Sequence, residues 1–330
     1  MPILELHSIR KTFRRGFWGV RTPVLKGVDL AIEQGEVYGF LGHNGAGKST
    51  TMKIILGLLR PDQGHTVVFG EEGSSARTRA RTGYLGEEVG LYPNLNAMET
   101  LLLAGELFRL PRKIAHERAQ ALIEQVGLAH ARDRKTKQYS KGMRQRLGLA
   151  SALINDPELL ILDEPYSGLD PIGRRQLREL ILSLKAQGKT IMMSSHIVPD
   201  VEAVCDKVGI LSDGVIARVL DLNAARTQNS GEVEVVITGD EARRMVAREF
   251  AERQLHANDS ICIVRCTNDH RLKALVNDVY AANGRILEVK PLRSGLEDVF
   301  VDVVGTRNGN GKQHTASNTQ VMLEPELSRR

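Results

Sequence analysis

The sequence predicts an α/β fold with a mostly parallel sheet, followed by a smaller α+β domain. Over about the first 220 residues, short apolar runs alternate with longer segments of helical periodicity, as in a parallel sheet covered by helices. One of these runs leads into a helical segment through a glycine-rich turn. Near Gly231 the pattern changes to shorter strands and helices. We therefore place the first domain at residues 1–225, the second at 231–305 and a polar, disordered tail at 306–330.

Buried strands of the first domain are expected where a short apolar run is bounded by turn residues. Residues 37–41, 158–163 and 190–194 fit this description. The segment 49–59 follows the glycine-rich turn and has the periodicity of a helix that begins at that turn. These elements form the predicted parallel sheet and the first helix that packs on it.

Two other parts of the first domain are expected at the edge of this sheet. The segments 97–108 and 115–126 have helical periodicity and predict a helical insert. Residues 14–22 predict a lengthened hairpin between the first two strands, which implies an antiparallel edge subdomain.

The second domain is expected to combine three strands with two helices. Its strands are predicted at 233–237, 261–264 and 285–289, and its helices at about 241–254 and 270–282. This alternation predicts a small α+β accessory domain.

Composition restricts the possible functions. The chain has 330 residues, of which 42% are hydrophobic and 26% charged, with a formal net charge of +5. Lys and Arg are spread along the whole sequence, which does not argue for nucleic acid and suits a protein beside an anionic membrane face. We expect no signal peptide, and no run approaches the roughly 20 apolar residues that span a bilayer. A partner would therefore have to hold the protein at a membrane.

The strongest motif joins the strand at 37–41 to the helix that follows it. It matches the phosphate-binding pattern G-x-x-x-x-G-K-[ST] in the strand–turn–helix context that this pattern requires. Backbone N–H groups would close around phosphates at the positive end of the helix. Lys48 would reach the β- and γ-phosphates of ATP, and the Ser49 hydroxyl would bind Mg²⁺. The alternative is a glycine-rich turn without a ligand. The candidate binding residues are Gly42, His43, Asn44, Gly45, Ala46, Gly47, Lys48, Ser49 and Thr50.

Two adjacent carboxylates, Asp163 and Glu164, follow the apolar run before them. Successive strand residues point to opposite sides, so Asp163 is expected to hold Mg²⁺ while Glu164 faces the γ-phosphate and positions the attacking water. Alone, an apolar run that ends in Asp-Glu is a weak indication, because strand ends often carry acids. Combined with the phosphate loop, it predicts a nucleoside triphosphatase.

A segment shortly before these carboxylates narrows the prediction. Tyr139, Ser140, Lys141, Gly142 and Met143 open a helical stretch and resemble the signature peptide Leu-Ser-Gly-Gly-Gln of the ABC transporter ATPases. Ser140 and Gly142 match that peptide, and the other three residues depart from it. The resemblance implies that this segment contacts the γ-phosphate of ATP bound by a second subunit. The alternative is that Ser140 is an ordinary helix N-cap.

Three further residues lie in segments that resemble elements of the same family, in the expected order. Asp170 lies in a segment similar to the D-loop, which runs along the dimer seam. His196 resembles the switch histidine that contacts the γ-phosphate. Phe13 resembles the aromatic residue that stacks on adenine, which is usually Tyr; the alternative is a core aromatic in an edge strand. The resemblance covers about residues 3–305.

Glu87 departs from the family pattern. The family usually carries Gln at this place, where the amide senses Mg²⁺ and water and couples the ATPase to the permease. A carboxylate can bind Mg²⁺ but cannot donate a hydrogen bond as an amide can. We therefore expect Glu87 to contact the nucleotide-bound metal ion and to alter turnover without abolishing it.

The resemblance implies a fold, a mechanism and partners. The fold is a P-loop ABC-ATPase domain with a mostly parallel sheet, an antiparallel edge subdomain and a helical insert. Lys48, Glu164 and His196 would act on ATP and Mg²⁺ in a head-to-tail pair with a second ATPase subunit, expected to be another copy of the chain. The pair would drive a polytopic membrane permease from the cytoplasmic face as a peripheral protein, without nucleic acid. The segment 285–300 resembles the accessory domain of drug- and polysaccharide-type export ATPases, the type 2 export branch.

Two other functions are open at this stage. A soluble ABC ATPase acting on ribosomes normally carries two ATPase domains in one chain, and one acting on DNA usually carries long coiled coil. A regulatory module would hold ATP without hydrolysing it, which Glu164 and His196 argue against.

Overall fold

The structure is a computed structural model, which describes residues 2–15, 20–227, 233–249, 254–257, 261–266, 269–291 and 296–305. The predicted tail at 306–330 and the tip of the first hairpin lie outside the described residues.

Strands and helices alternate along the chain. The strands are β1 (Pro2–Arg15), β2 (Val20–Glu33), β3 (Val37–Leu41), β4 (Gln63–Val68), β5 (Glu71–Glu72), β6 (Thr82–Leu85), β7 (Leu159–Leu162), β8 (Thr190–Ser195), β9 (Lys207–Ser212), β10 (Val215–Asp221), β11 (Val233–Thr238), β12 (Gln254–Ala257), β13 (Ile261–Cys266) and β14 (Arg285–Pro291). The helices are α1 (Lys48–Ile55), α2 (Ala76–Ala80), α3 (Ala97–Leu107), α4 (Arg112–Gln125), α5 (Lys141–Leu153), α6 (Pro171–Ala186), α7 (Val198–Glu202), α8 (Leu222–Thr227), α9 (Asp240–Glu249), α10 (Asp269–Ala281) and α11 (Leu296–Gly305).

The central sheet has six strands in the order β10-β9-β3-β8-β7-β6. Neighbouring strands from β9 to β6 run parallel, and β10 joins the edge antiparallel to β9. Both β3 and β7 are buried along their whole length, which explains their continuous apolar sequence. Because β3, β6, β7 and β8 are parallel, their carboxyl ends meet at one edge of the sheet. In open α/β sheets this edge is where ligands bind.

A second, antiparallel sheet packs on one face of the central sheet. Its order is β2-β1-β4-β5, and Leu4, Ile9 and Val28 share one hydrophobic core with Phe40 of β3 and Met52 of α1. This sheet is the predicted antiparallel edge subdomain.

The predicted helical insert consists of α3 and α4, which contact each other and α5. Leu101, Ile123 and Leu147 from these helices share a core with Leu162 of β7. The start of α3 is fixed locally, because the Asn96 side chain accepts a hydrogen bond from the Glu99 N–H at 2.8 Å while the Glu99 carboxylate accepts the Asn96 N–H at 2.7 Å. This reciprocal arrangement is a capping box.

The chain beyond residue 232 builds a second antiparallel sheet-and-helix unit. Its sheet has the order β12-β13-β11-β14, and α9 and α10 contact the sheet. Val235, Ile237, Val264, Leu275 and Val279 form a core of their own.

The last helix, α11, packs on the first domain. Leu296 is only 3% exposed and belongs to the core that contains the helical insert. Val299 and Phe300 pack against the same core, and the Leu296 N–H donates to the Glu202 carboxylate of α7 at 3.0 Å. Residues 296–305, which the sequence pattern assigned to the second domain, therefore pack on the first domain.

Two predicted helices differ from the structure at their C-terminal ends. The helix expected at 49–59 ends at Ile55, because the chain turns at Gly57, where φ is +70° and the N–H donates to the Ile54 carbonyl at 2.9 Å. Of the helix expected at 241–254, the structure describes Asp240–Glu249, and Gln254 belongs instead to the strand Gln254–Ala257, which pairs with β13. This short strand was missed because its sequence, Gln-Leu-His-Ala, lacks a run of apolar residues.

Candidate functional site

The phosphate-loop segment joins β3 to α1 at the carboxyl edge of the central sheet. Its first and last glycines are needed for close approach to neighbouring backbone and side chains. A Cβ on Gly42 would lie 2.6 Å from the Leu211 carbonyl oxygen, and one on Gly47 would lie 2.6 Å from Leu25 Cδ2. Gly47 also has φ of +114°, in the region that favours glycine. The glycines therefore set the course of the loop.

Lys48 is buried inside the loop that it closes. Its Nζ donates to the carbonyl oxygens of Gly42 at 2.7 Å and His43 at 3.3 Å. The same Nζ lies 3.2 Å from Oε1 of Glu164. A buried ammonium group needs hydrogen-bond and ion-pair partners of this kind, and here they fix its position in the phosphate loop.

Glu164 lies between a cation and an imidazole. Besides Lys48, its carboxylate contacts His196, with Oε2 3.0 Å from Nδ1. These three side chains come from the loops after β3, β7 and β8, so the parallel topology brings them together. Glu164 is buried, whereas the His196 side chain is 46% exposed. The cluster thus opens to solvent on the histidine side.

The two carboxylates diverge for a reason that the sequence prediction had wrong. Strand alternation does not separate them, because β7 ends at Leu162, one residue before Asp163. Glu164 instead has φ of +47°, a left-handed conformation that costs a non-glycine residue about 1–2 kcal/mol. Sequence reasoning also missed Ser194 of β8, whose hydroxyl contacts both acidic residues. A polar residue near the end of a buried strand was the available indication.

A cavity of about 550 Å³ opens over the loop. It brings together most of the predicted residues; Gly42, His43 and Ala46 belong to the loop but do not line it. Phe13, on β1 opposite Thr22, lies on the wall of this cavity. The predicted residues that line it are Phe13, Asn44, Gly45, Gly47, Lys48, Ser49, Thr50, Glu87, Glu164 and His196.

A neighbouring cavity of about 640 Å³ extends from Ser49 between β6 and the helices α3 and α5. Ser49 and Glu87 line both cavities, and Asp163 lines this one. Tyr84 on its wall is half-buried, and burial together with the nearby Asp163 charge raises its pKa. The two cavities therefore meet at Ser49 and Glu87.

The residues at this junction suit Mg²⁺ that arrives with a nucleotide. Ser49 provides a hydroxyl, and Asp163 and Glu87 provide carboxylates. In the described part of the chain, no group of three His, Cys, Asp or Glu side chains could hold a metal by itself. Mg²⁺ is typically bound by one or two carboxylates together with substrate phosphates, so this donor set fits it.

The predicted signature residues and Asp170 do not line either cavity. The Ser140 side chain accepts the Met143 N–H at 3.2 Å and caps α5, so the helix-cap alternative describes its local role. Asp170 caps α6 in the same way, accepting the Gly173 N–H at 2.6 Å. One chain thus brings together the phosphate loop and the acids, but not Ser140, Lys141, Gly142, Met143 and Asp170.

Fold and site together define a P-loop ATPase, since a phosphate loop meets two acids and a histidine at the carboxyl edge of a parallel sheet. The family model described as ABC transporter matches residues 25–167. An ABC transporter ATP-binding protein of Synechocystis sp., itself uncharacterized, is 40% identical over 302 residues, 91% of this chain and 84% of that protein. The chain belongs to the ABC transporter ATP-binding proteins. It is an ATP-binding subunit that hydrolyses ATP to power a membrane transporter.

Two further comparisons extend this result. The bacitracin transport ATP-binding protein of Bacillus licheniformis is 35% identical over 286 residues, covering 84% of this chain and 91% of that protein. The ATP-binding cassette MJ0796, solved as a dimer in a post-hydrolysis state with ADP and Pi, is similar with a TM-score of 0.61 and 26% identity, over 66% of this chain and 98% of that one. In the part of the chain that the structure describes, no helix has the length and apolar character needed to cross a bilayer.

Proposed function

We propose that this chain is the motor of an ABC exporter and that Glu164 drives hydrolysis of Mg²⁺-bound ATP. The observation that carries this proposal is the convergence of Lys48, Glu164 and His196 at the phosphate loop. Oε1 of Glu164 lies 3.2 Å from Nζ of Lys48, and Oε2 of Glu164 lies 3.0 Å from Nδ1 of His196. A buried carboxylate between a lysine and a histidine, beside a phosphate-binding loop, can hold and deprotonate a water.

The contacts of Lys48 suggest how nucleotide binding prepares this site. Lys48 Nζ is held by loop carbonyls and by Glu164 Oε1. Entry of the β- and γ-phosphates would draw Nζ toward them and release Oε1 for a water molecule, while His196 keeps Oε2 in place. Bound Mg²⁺ would offset the phosphate charge.

Hydrolysis then requires one proton transfer and one displacement. The water oxygen attacks the γ-phosphorus, the bond from that phosphorus to the β-bridging oxygen breaks, and the proton of the water passes to Glu164. The products are ADP and inorganic phosphate.

A second copy of the chain would complete the nucleotide site. Ser140, Lys141 and Asp170 are exposed and lie outside the cavity of their own chain. The N-terminus of α5, at Ser140, presents a positive dipole end that suits an anion. The dimeric MJ0796 cassette supports the proposal that these residues, with Gly142 and Met143, contact ATP held by a partner copy.

The cavity between β6 and the helical insert is the proposed contact with the permease. It shares Ser49 and Glu87 with the nucleotide cavity, so a segment seated in it would respond directly to nucleotide. Tyr92 and Leu107 at this cavity are strongly exposed and would be covered by such a partner. The chain would then work as a peripheral protein on the cytoplasmic face of the membrane.

We propose that the transporter moves its substrate outward and that this substrate is an antibiotic, a lipid or a glycan. The bacitracin transport relative, similar along most of this chain, supports it, as does the resemblance of residues 285–300 to export ATPases. We also propose residues 231–305 as an accessory domain whose last helix is anchored on the first domain.

Glu164→Gln tests the proposed hydrolytic role. The variant should bind Mg²⁺-ATP and dimerise, yet lose steady-state ATPase activity, because an amide cannot accept the proton of the water. Glu158→Gln is the matched control at the other end of β7, where the carboxylate pairs with Arg81 on the surface. ATPase activity of Glu164→Gln close to that of wild type would remove Glu164 from the mechanism.

Purification from membranes in mild detergent tests the transport assignment. A stoichiometric polytopic protein should accompany the chain. Copurification of ribosomal proteins or nucleic acid in its place would favour a soluble, non-transport ABC ATPase.

A further inference from the structure

Ser194 lies beside the two carboxylates that follow β7. The strand register pairs Leu162 of β7 with Met193 of β8, so the next residue of β8 is adjacent to Asp163. Ser194 is completely buried and follows three apolar residues of its strand. A hydroxyl in such surroundings needs hydrogen-bond partners.

The Ser194 hydroxyl finds two partners in the turn after β7. Its Oγ donates to Oδ1 of Asp163 at 2.6 Å and accepts the backbone N–H of Glu164 at 2.8 Å. The directions are fixed, because an ionised carboxylate only accepts and a backbone N–H only donates. One side chain therefore contacts the proposed metal-binding acid and the backbone of the proposed hydrolytic acid.

The bond to Glu164 anchors an unusual backbone conformation. Glu164 has φ of +47°, which few residues other than glycine adopt and which persists where the surroundings hold it. In this conformation its carboxylate contacts Lys48 and His196. A change in the turn would move the carboxylate away from both.

The bond to Asp163 holds its carboxylate in one orientation. The Asp163 backbone is already held, because its N–H donates to the Leu85 carbonyl at 2.8 Å. The Ser194 hydrogen bond to Oδ1 fixes the rotation of this carboxylate at the cavity that Ser49 also lines, where it would hold Mg²⁺ directly or through water. Hydrogen bonds to a ligating carboxylate orient it and tune its affinity for the metal.

We propose that Ser194 is a positioning residue for ATP hydrolysis, which orients Asp163 toward nucleotide-bound Mg²⁺ and holds Glu164 in its left-handed turn. Ser194 acts through these two residues and does not line the nucleotide cavity. The inference rests on the proposed function of Asp163 and Glu164. Under this proposal, the strand that leads to His196 also positions the two acids.

Three variants separate positioning from a purely structural role. Ser194→Ala removes both hydrogen bonds, and Ser194→Thr keeps a hydroxyl at the same position. Ser195→Ala is the matched control, because Ser195 is also buried but its hydroxyl hydrogen-bonds with the backbone of Ile197. Both alanine variants remove one buried hydroxyl from neighbouring positions of one strand.

The decisive measurement is the Mg²⁺ dependence of nucleotide binding by the full chain, followed with a fluorescent ATP analogue. Ser194→Ala should need roughly 10–100 times more Mg²⁺ for half-maximal tight binding, the size typical of a lost hydrogen bond to a metal ligand. Its binding of the analogue in EDTA should match that of wild type. In steady-state assays at saturating Mg²⁺, kcat should fall while KM changes little. Ser194→Thr should restore both properties, and Ser195→Ala should keep the wild-type Mg²⁺ dependence.

Two results would overturn the proposal. One is a Ser194→Ala protein with wild-type Mg²⁺ dependence and kcat. The other is an equal shift in Ser195→Ala, which would indicate a general effect of loosened packing. If Ser194→Ala does not fold, Ser194→Cys replaces it, because a thiol has a similar volume and is a weaker hydrogen-bond donor. This variant should show a smaller shift of the Mg²⁺ dependence in the same direction. The absence of any shift in it would contradict the proposal. Because nucleotide binding is measured without turnover, this outcome is independent of the Glu164→Gln test.

Discussion

Truncation of Leu296 should destabilise the first domain, although this residue lies about 70 residues beyond the expected end of that domain at residue 225. Leu296 begins α11, is 3% exposed and packs in the core that holds the helical insert. Leu296→Ala removes this side chain and leaves the hydrogen bond from its N–H to Glu202 intact. The variant therefore tests the packing of α11 alone.

The expected magnitude follows from burial. Buried Leu→Ala substitutions cost about 2–5 kcal/mol, and less where the site can collapse. The neighbours Val299, Phe300 and Val303 are only partly buried, so the site can partly collapse and we expect a loss of about 2–3 kcal/mol. Val301 on the same helix is 64% exposed, so Val301→Ala should change stability by no more than about 0.5 kcal/mol.

Urea unfolding monitored by circular dichroism measures both variants, and hydrogen exchange locates the effect. Leu296→Ala should lower the unfolding midpoint and speed amide exchange in β9, which α11 contacts. The Val301→Ala protein should match wild type in both measurements. Equal midpoints for the two variants, or faster exchange confined to residues 233–291, would refute the assignment of α11 to the first core.

Two further substitutions test other parts of the chain. Glu87→Gln should keep ATP binding and change the steady-state ATPase rate of the permease complex, since an amide donates where a carboxylate cannot; an unchanged rate would remove Glu87 from the mechanism. Asp206→Asn tests how much a partly buried, hydrogen-bonded carboxylate contributes to stability. Burial raises the pKa of Asp206, but hydrogen bonds from Lys185, the Val37 N–H and Asn223 bring it below its usual value. Its contribution should therefore be present above about pH 4 and be lost as the pH falls through the lower folded pKa; urea midpoints at pH 7 and pH 3 should differ less in the variant than in wild type.

The fold was largely predictable because its strands have uniform surroundings. Strands β3 and β7 are buried, continuous apolar runs that sequence patterning identifies, and β8 is a buried strand with an apolar centre at residues 191–193. The phosphate loop was equally clear, since its glycines are required by contacts such as that between Gly42 and the Leu211 carbonyl. Local chemistry and global fold agree at these positions.

Other features depend on contacts that sequence spacing does not contain. The pairing of Glu164 with His196 requires β7 and β8 to be neighbours, and the strand order is not readable from the chain alone. Alternation gave the wrong reason for the divergence of Asp163 and Glu164, because the strand ends before them. The return of α11 to the first domain was also missed. Its apolar face at 296, 299, 300 and 303 fits the core of either domain, and sequence spacing does not show which core it contacts.

Glu87 lies where the proposed nucleotide site and the proposed permease contact meet. Ser49 and Glu87 line both the nucleotide cavity and the cavity beside the helical insert. A nucleotide-bound metal ion near Ser49 and a permease segment near Leu107 would therefore act on the same exposed carboxylate from opposite sides. An acid at this position makes the link depend on charge, because Mg²⁺ would attract it and loss of Mg²⁺ would release it. The Glu87→Gln substitution consequently bears on coupling as well as on hydrolysis, and its effect should be larger in the permease complex than in the isolated chain.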